Sequence, residues 1–176
     1  MYSALFLDRD GVINIDYGYV HKKEDFIFND GIFDLVSYAT SKNFLVIVIT
    51  NQAGIGKGLY TEKDFNELTQ WMSEMFFQNG GKITKTYFCP FHEDAVIEKY
   101  RKKSKYRKPS PGMILKACRE FNIDPKKSII VGDQMSDIEA GIASNIGKSI
   151  YFGSKTCNHA YKSVKKLSDI KDELIF

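Results

Sequence analysis

Two carboxylates stand close together directly after the first apolar run of the chain. Asp8 and Asp10 follow Ala4–Leu7, and Gly11 comes next. Side chains alternate between the two faces of a strand, but Gly11 permits a turn past the strand end, where both acids can converge. Paired carboxylates suit a hard cation such as Mg²⁺, and one of them could also act as a nucleophile. The pair therefore indicates a metal-binding or catalytic site at the end of a strand.

Three more polar clusters occur later in the chain, namely Thr50-Asn51-Gln52, Arg107-Lys108, and Asp133 with Asp137. Carboxylates can hold a divalent cation, hydroxyl and amide groups can donate to phosphate oxygens, and a lysine can neutralise developing charge. These are the groups that phosphoryl transfer requires. Alone, each has a plainer interpretation: acid pairs are common in turns, and Asp137 could simply support a helix start. Their combination favours one shared site.

The elements that would carry these clusters alternate between strand and helix patterns. We predict strands at residues 2–7, 44–49, 83–88, 128–131 and 149–152, and helices at 31–43, 61–79, 111–121 and 136–145. Such alternation is typical of an α/β fold with a parallel sheet and right-handed crossovers. In these folds ligands bind at the carboxyl edge of the sheet. Residues 162–174 predict a terminal helix or a loosely packed tail.

Length and composition predict one globular domain, residues 1–176, with a loop insertion at 89–109. The chain is 43% hydrophobic, and its net charge of +3 is too small to indicate nucleic-acid binding. The basic run Lys99–Lys108 is a solvated face or a local attractor for an anionic substrate. Three scattered cysteines suit reduced thiols, and neither a membrane segment nor a signal peptide is predicted. We expect a cytoplasmic monomer with no membrane partner.

The four clusters, in this order, resemble the motifs of the haloacid dehalogenase superfamily of phosphohydrolases. The amino-acid sequences of these motifs are similar to those of the heptose bisphosphate phosphatases within that superfamily, with the histidinol-phosphate phosphatases as near relatives. The stretches that carry the likeness are Asp8-Arg-Asp-Gly-Val-Ile-Asn14, Thr50-Asn-Gln-Ala-Gly-Ile-Gly-Lys-Gly58, Arg107-Lys-Pro-Ser-Pro-Gly-Met113 and Val131-Gly-Asp-Gln-Met-Ser-Asp137. The resemblance implies a three-layer, Rossmann-like fold with a mainly parallel sheet and no separate cap domain.

The resemblance also implies a role for each matched residue. Asp8 would attack phosphorus and form an aspartyl-phosphate, while Asp10 would protonate the leaving oxygen and later deprotonate water. Thr50 and Lys108 would bind the transferring phosphoryl group. The remaining assignments are Asn51, Arg107 and Lys57 for substrate binding, Asp8, the backbone carbonyl of Asp10, and Asp133 for Mg²⁺, and Asp137 for orienting its neighbours rather than ligating metal.

Two features, the loop before Arg107 and the residue at position 57, depart from the pattern of those relatives. The relatives carry a zinc loop of the form Cys-x-His, then Cys-x-Cys just before Arg-Lys-Pro. Here Cys89 is in register, but Phe91, Ser104 and Tyr106 replace the other three ligands, and His92 stands one residue late. Because a structural zinc needs about four N or S ligands, we expect no zinc. Lys57 stands where relatives usually have Arg, which keeps the charge but loses the planar fork.

The resulting expectation is a Mg²⁺-dependent phosphomonoesterase acting on a small sugar phosphate. For the resembled group, the reaction would remove the 7-phosphate of D-glycero-D-manno-heptose 1,7-bisphosphate, feeding nucleotide-activated heptose for lipopolysaccharide, capsule or S-layer glycans. Two alternatives stay open. One is a histidinol-phosphate phosphatase, which shares the catalytic groups, and the other is a catalytically silent binding or scaffold protein.

Overall fold

A six-stranded, fully parallel sheet forms the centre of the molecule. The computed structural model describes residues 1–175, and its strands lie in the order β3-β2-β1-β4-β5-β6. Their bounds are Ala4–Leu7 (β1), Leu45–Asn51 (β2), Ile83–Cys89 (β3), Ile129–Gly132 (β4), Lys148–Phe152 (β5) and Lys162–Val164 (β6). The predicted α/β fold with a parallel sheet is confirmed.

Helices cover both faces of this sheet and give the fold its three layers. They are Ile32–Ser41 (α1), Ala53–Gly56 (α2), Glu62–Gln78 (α3), Gly112–Glu120 (α4) and Met135–Ala143 (α5). Alternate residues of β1 serve opposite cores, since Leu5 and Leu7 pack with α1 and α3, whereas Phe6 packs with α4. Strands buried on both faces are continuous apolar runs, as the sequence of β1 and β2 requires.

The topology brings the ends of β1 and β4 together. These strands are neighbours, although 121 positions separate Leu7 from Ser128 along the chain, and Leu7 is in register with Val131. The chain crosses the sheet in opposite directions from this point, which makes it the switch point where open α/β folds bind ligands. The residues after β1 and β4 therefore face one crevice.

Strand β2 is longer than its apolar pattern predicts. It runs through Thr50 and Asn51, which pair in register with Phe88 and Cys89 of β3. The prediction that the Thr50 cluster follows the strand is therefore wrong for its first two residues. Ladder pairing holds them in extended backbone, so both side chains start from a rigid position.

Helix α3 begins where its sequence signals predict. The hydroxyl of Thr61 accepts a hydrogen bond from the backbone N–H of Asp64, and the Asp64 carboxylate accepts one from the backbone N–H of Thr61. This reciprocal capping box satisfies two N–H groups that the first turn would leave unpaired. The helix then buries Phe65, Leu68, Met72 and Phe76 against the sheet.

The C-terminal segment packs on the rest of the fold, so the prediction of a loosely packed tail is wrong, and that of a terminal helix holds only for residues 167–173. Residues Lys162–Val164 add the parallel edge strand β6, and Leu167–Glu173 form a 3₁₀-helix that packs on α1. Leu167 and Ile170 of this helix are buried three residues apart, which matches the three residues per turn of a 3₁₀-helix. Within residues 1–175, no helix has the length and apolar composition needed to cross a bilayer.

Candidate active site

Asp8 lies at the floor of the crevice, just past the end of β1. Its Oδ1 accepts a hydrogen bond from the backbone N–H of Arg9 at 2.7 Å and forms an ion pair with Lys108 Nζ at 2.9 Å. Its Oδ2 makes no hydrogen bond within the described residues. Burial and the nearby Asp137 raise the pKa of Asp8, and the Lys108 ammonium opposes that shift. One carboxylate oxygen is thus held in place and the other is left for chemistry.

Lys108 is a buried ammonium whose three protons all have acceptors. Besides Asp8, it pairs with Asp137 Oδ1 at 2.6 Å and donates to the carbonyl of Ile49 at 3.0 Å. Burial would lower its pKa, but the charges of Asp8 and Asp137 outweigh burial and raise the pKa above the ordinary lysine value. Lys108 therefore stays charged and fixed beside the free oxygen of Asp8.

Asn51 holds the backbone of Lys108 rather than pointing freely into the crevice. Its Oδ1 accepts from the backbone N–H of Lys108 at 3.0 Å, and its Nδ2 donates to the carbonyl of the same residue at 3.1 Å. This pair of hydrogen bonds joins β2 to the end of the loop at residues 89–109. Asn51 also lines the crevice and is accessible to a substrate there. Its amide, however, is already bonded to the backbone of Lys108, which it holds in position.

Asp10 is surrounded by donors from three parts of the chain. Its Oδ1 accepts from Arg9 at 2.8 Å and from Asn14 at 3.1 Å, and its Oδ2 accepts from Gln52 Nε2 at 2.9 Å. The Arg9 guanidinium is buried between the rings of Phe26 and Phe65, about 6 Å from each centroid. Such burial fixes its plane and hence the direction of the carboxylate that it binds.

Asp133 has the geometry of a metal ligand. It lies after β4, and one carboxylate oxygen of each of Asp8, Asp133 and Asp137 falls within 4.8 Å of the others. Asp133 Oδ1 is buried without a hydrogen-bond partner, and burial raises the pKa of this carboxyl to about 6. A buried carboxylate oxygen with nothing to bind is costly unless a cation meets it. The site therefore fits a divalent cation with oxygen ligands.

Asp137 has both oxygens engaged by the protein itself. Oδ1 pairs with Lys108, and Oδ2 accepts from the backbone N–H of Gln134 at 3.0 Å, closing a capping box at the start of α5. Through these contacts Asp137 holds both the Lys108 ammonium and the first turn of α5. The close approach depends on Gly132, where an added Cβ would lie 2.0 Å from the Cβ of Asp137.

The crevice is an open cavity of about 430 Å³. Asp8, Asp10, Asn51, Arg107 and Lys108 line it, together with Gly18 and Tyr19 of the segment that follows β1. Lys57 lies behind this wall, with its Nζ 2.5 Å from the hydroxyl of Tyr19 and 5.0 Å from the ring centroid. Three predicted site residues lie beside these lining residues rather than on the cavity wall: Thr50 contacts Gln52, Asp133 lies near Asp8, and Asp137 pairs with Lys108. Lys57 contacts only Tyr19 of the wall.

Three residues at this site have no role in the sequence prediction. Gln52 bridges Asp10 and Thr50 through its Nε2, which lies 2.8 Å from Thr50 Oγ1, and Tyr60 donates to Gln52 Oε1. Arg9 binds Asp10. A large charged residue directly after a buried strand is a signal that could have drawn attention to Arg9, whereas Tyr60 stands in no motif.

Aromatic packing occupies the loop at residues 89–109, for which the sequence resemblance implied zinc ligands at four positions. Phe91 and Tyr100 lie with ring centroids 5.9 Å apart, and Phe91 also packs with Tyr106 against buried Cys89. His92 accepts a hydrogen bond at Nδ1 from the backbone N–H of Asp94, at 3.0 Å. Over residues 1–175, clusters of three or more potential metal ligands are limited to the acidic trio described above.

Comparison with known proteins gives matches over nearly the whole chain. The family model for polynucleotide kinase 3 phosphatases matches residues 7–170. The chain is 50% identical over 147 residues to the D-glycero-alpha-D-manno-heptose-1,7-bisphosphate 7-phosphatase of Burkholderia mallei, covering 84% of this chain and 78% of that protein. It is 45% identical over 169 residues to the protein of the same name from Campylobacter jejuni, covering 96% and 93%.

A solved structure shows the same fold. The D,D-heptose 1,7-bisphosphate phosphatase from B. bronchiseptica superposes with a TM-score of 0.84 at 23% identity, covering 98% of this chain and 97% of that one. Taken with the geometry of the crevice, these matches define the class of protein, a phosphatase of the haloacid dehalogenase superfamily. More narrowly, the chain belongs to the polynucleotide kinase 3 phosphatase family. The resemblance seen in the sequence, and the prediction of an enzyme, are confirmed.

Proposed function

We propose that the protein removes the 7-phosphate of D-glycero-D-manno-heptose 1,7-bisphosphate through an aspartyl-phosphate on Asp8, with Mg²⁺ bound. The observation that carries the proposal is the free Oδ2 of Asp8, held beside the Lys108 ammonium in a cavity that Asp10 also lines. The names of the relatives at 45% and 50% identity support this choice of substrate.

In the first half-reaction, Asp8 Oδ2 attacks phosphorus and the bond from phosphorus to the sugar oxygen breaks. Asp10 gives its proton to that oxygen, so the sugar leaves as a neutral alcohol. Lys108 and the hydroxyl of Thr50 bind the phosphoryl oxygens, where negative charge accumulates. Preorganised donors of this kind are worth far more in a buried site than in water.

In the second half-reaction, water attacks the phosphorus of the aspartyl-phosphate and the bond to Asp8 breaks. Asp10, now a carboxylate, takes the proton from the attacking water, which returns both acids to their starting states. One carboxyl can serve both steps because the two half-reactions move the proton in opposite directions. The products are inorganic phosphate and the heptose 1-phosphate.

Asp8, the backbone carbonyl of Asp10, and Asp133 would hold Mg²⁺. When bound, the ion screens the repulsion between an anionic nucleophile and an anionic phosphate. The orphaned Oδ1 of Asp133 supports this assignment, as does the fold relative from B. bronchiseptica, which was solved with magnesium and phosphate.

The α-anomer is the proposed form of the substrate. Relatives at 50% and 45% identity are named for the alpha anomer, whereas those from Yersinia pestis and Escherichia coli, at 42% and 40%, are named for the beta anomer. We expect kcat/KM for the α-bisphosphate to exceed that for the β-bisphosphate.

The proposed protein is a cytoplasmic, single-domain monomer that supplies activated heptose for surface glycans.

The test measures phosphate release from both heptose bisphosphates, histidinol phosphate and fructose 1,6-bisphosphate, with Mg²⁺ and with chelator. Asp8→Asn removes the nucleophile and should lower the rate by on the order of 10³-fold or more. Asp34→Asn, at an exposed position, serves as the matched control. A higher rate with histidinol phosphate would make that compound the substrate. Full activity in Asp8→Asn would mean that a contaminating enzyme releases the phosphate, and it would favour the alternative of a catalytically silent scaffold.

A further inference from the structure

Gln52 connects the acid/base residue to the phosphoryl-binding residue through a single amide nitrogen. Its Nε2 donates to Asp10 Oδ2 at 2.9 Å and to Thr50 Oγ1 at 2.8 Å, so both of its protons are used. The side chain is buried, and its backbone N–H donates to the carbonyl of Cys89 at 2.8 Å. Gln52 is therefore fixed at both its backbone and its amide nitrogen.

Tyr60 decides which way that amide points. Its hydroxyl donates to Gln52 Oε1 at 2.5 Å, and burial raises the pKa of Tyr60 to about 12, so the phenol keeps its proton. A flipped amide would place its carbonyl oxygen against the Asp10 carboxylate, where two acceptors would face each other without a proton. The Asp10 carboxylate therefore requires the amide nitrogen of Gln52 on its side, and the hydrogen bond from Tyr60 to Oε1 holds the amide in that orientation.

The ring of Tyr60 is itself held by its surroundings. It stacks on His21 with centroids 4.9 Å apart and an interplanar angle of 8°. On another side it lies so close to Gly54 that an added Cβ there would be 2.3 Å from its Cε1. The Gly-rich turn after Thr50 therefore has a packing task, which is to admit this ring.

We infer that Gln52, oriented by Tyr60, is a positioning residue that aims the Asp10 carboxyl at the leaving oxygen of the substrate. Arg9 donates to both oxygens of Asp10, at 2.8 Å to Oδ1 and 3.0 Å to Oδ2, and Asn14 donates to Oδ1. Gln52 reaches Asp10 Oδ2 from the position directly after β2, the strand that carries Thr50. This inference rests on the proposed function, because it assigns the pair a part in the general-acid step.

The experiment compares two substrates in Tyr60→Phe and Gln52→Leu. A sugar phosphate has a poor leaving group that needs the proton from Asp10, whereas p-nitrophenyl phosphate releases a stable anion without it. Because kcat/KM reports the steps through departure of the leaving group, each variant should lose about tenfold to a hundredfold with the heptose bisphosphate. With p-nitrophenyl phosphate the loss should stay within about threefold.

The ratio of the two kcat/KM values is unaffected by the fraction of enzyme that is folded, because both substrates report on the same sample. Tyr87→Phe is the matched control, since Tyr87 donates its hydroxyl to Glu120 outside the site and should leave the ratio unchanged. Equal losses with both substrates, or no loss with either, would overturn the inference. If p-nitrophenyl phosphate hydrolysis survives in Asp8→Asn, the proposed function fails instead.

Discussion

The protonation of Asp133, together with that of Asp8, should govern metal binding at the carboxyl edge of the sheet. Burial raises the pKa of Asp133 from 3.8 to about 6, and its Oδ1 has no hydrogen-bond partner. Because the pKa is higher in the folded state than in the unfolded chain, its contribution to stability is present below about pH 4 and lost as the pH rises through 6. A bound cation offsets the cost of ionising the buried Asp133 carboxyl, because it pairs with the carboxylate.

Magnesium should therefore stabilise the protein much more at pH 7.5 than at pH 5. Binding displaces the protons of Asp133 and of Asp8, whose pKa burial raises to about 8, so the affinity for Mg²⁺ should fall by about tenfold or more per pH unit below 6. Thermal unfolding with and without Mg²⁺ at both pH values measures the effect through the shift in Tm. Asp133→Asn should show little shift at either pH. Equal shifts at pH 5 and pH 7.5 in the wild type would contradict this prediction.

The sequence motifs predicted which polar side chains lie together at the crevice better than they predicted the contacts that hold those side chains. Asp8, Lys108 and Asp133 meet as expected, because strand ends of a parallel sheet share one edge. Asn51 was assigned to substrate, yet both polar atoms of its amide bind the backbone of Lys108. The part played by Tyr60 depends on which ring reaches Gln52 in three dimensions, and no local spacing encodes that contact.

At the scale of elements, the turn after β1 depends on Gly11. Its φ of +92° lies in the left-handed region, and a Cβ at this position would sit 2.2 Å from Asp133 Oδ2. The turn that carries Asp10 thus packs directly on the carboxylate that follows β4. Both a positive φ and this close approach require glycine.

Gly11→Ala should lower the free energy of unfolding by about 2 kcal/mol or more and should also weaken Mg²⁺ binding, because Asp133 must move. Gly31→Ala is the matched control, since Gly31 has a φ of +79° but its added Cβ would meet only Leu167 Cβ, at 3.8 Å. That variant should cost about 1 kcal/mol and leave Mg²⁺ binding unchanged. Denaturant unfolding and Mg²⁺ titration measure the two effects. Similar Mg²⁺ affinities in the two variants would argue against the packing role of Gly11.

Element boundaries were predictable where a local signal ends the element. The capping box at Thr61 is such a signal, and α3 begins as predicted. Strand β2 lacks one at its end, and ladder pairing with β3 carries it on to Asn51. Residues 162–174 were predicted as a terminal helix or a loosely packed tail, and strand β6 was missed because it depends on the pairing of Val164 with Phe152 of β5, which local spacing does not encode.

At the scale of the whole molecule, apolar contacts hold the loop Cys89–Pro109 beside the cavity. Phe91 packs between two buried clusters, one around Cys89 and one around Tyr100, and Lys102 Nζ lies 4.5 Å from its ring centroid. Arg107 and Lys108, at the end of this loop, line the cavity. The order of the loop therefore bears directly on catalysis, and apolar contacts are available to maintain it without a metal.

The final prediction is that apolar packing, and not zinc, maintains this loop. Protein purified without added zinc should contain well under one zinc per chain, and a zinc-selective chelator should leave its Tm unchanged, since a structural site needs about four N or S ligands. Phe91→Ala should lower the free energy of unfolding by about 2 kcal/mol, because the ring is partly buried in two clusters. Phe77→Ala, at a ring that is 76% exposed, is the matched control and should have little effect. Stoichiometric zinc, or a Tm that falls on chelation, would show that Cys89 and His92 recruit ligands from elsewhere and that the apolar explanation is wrong.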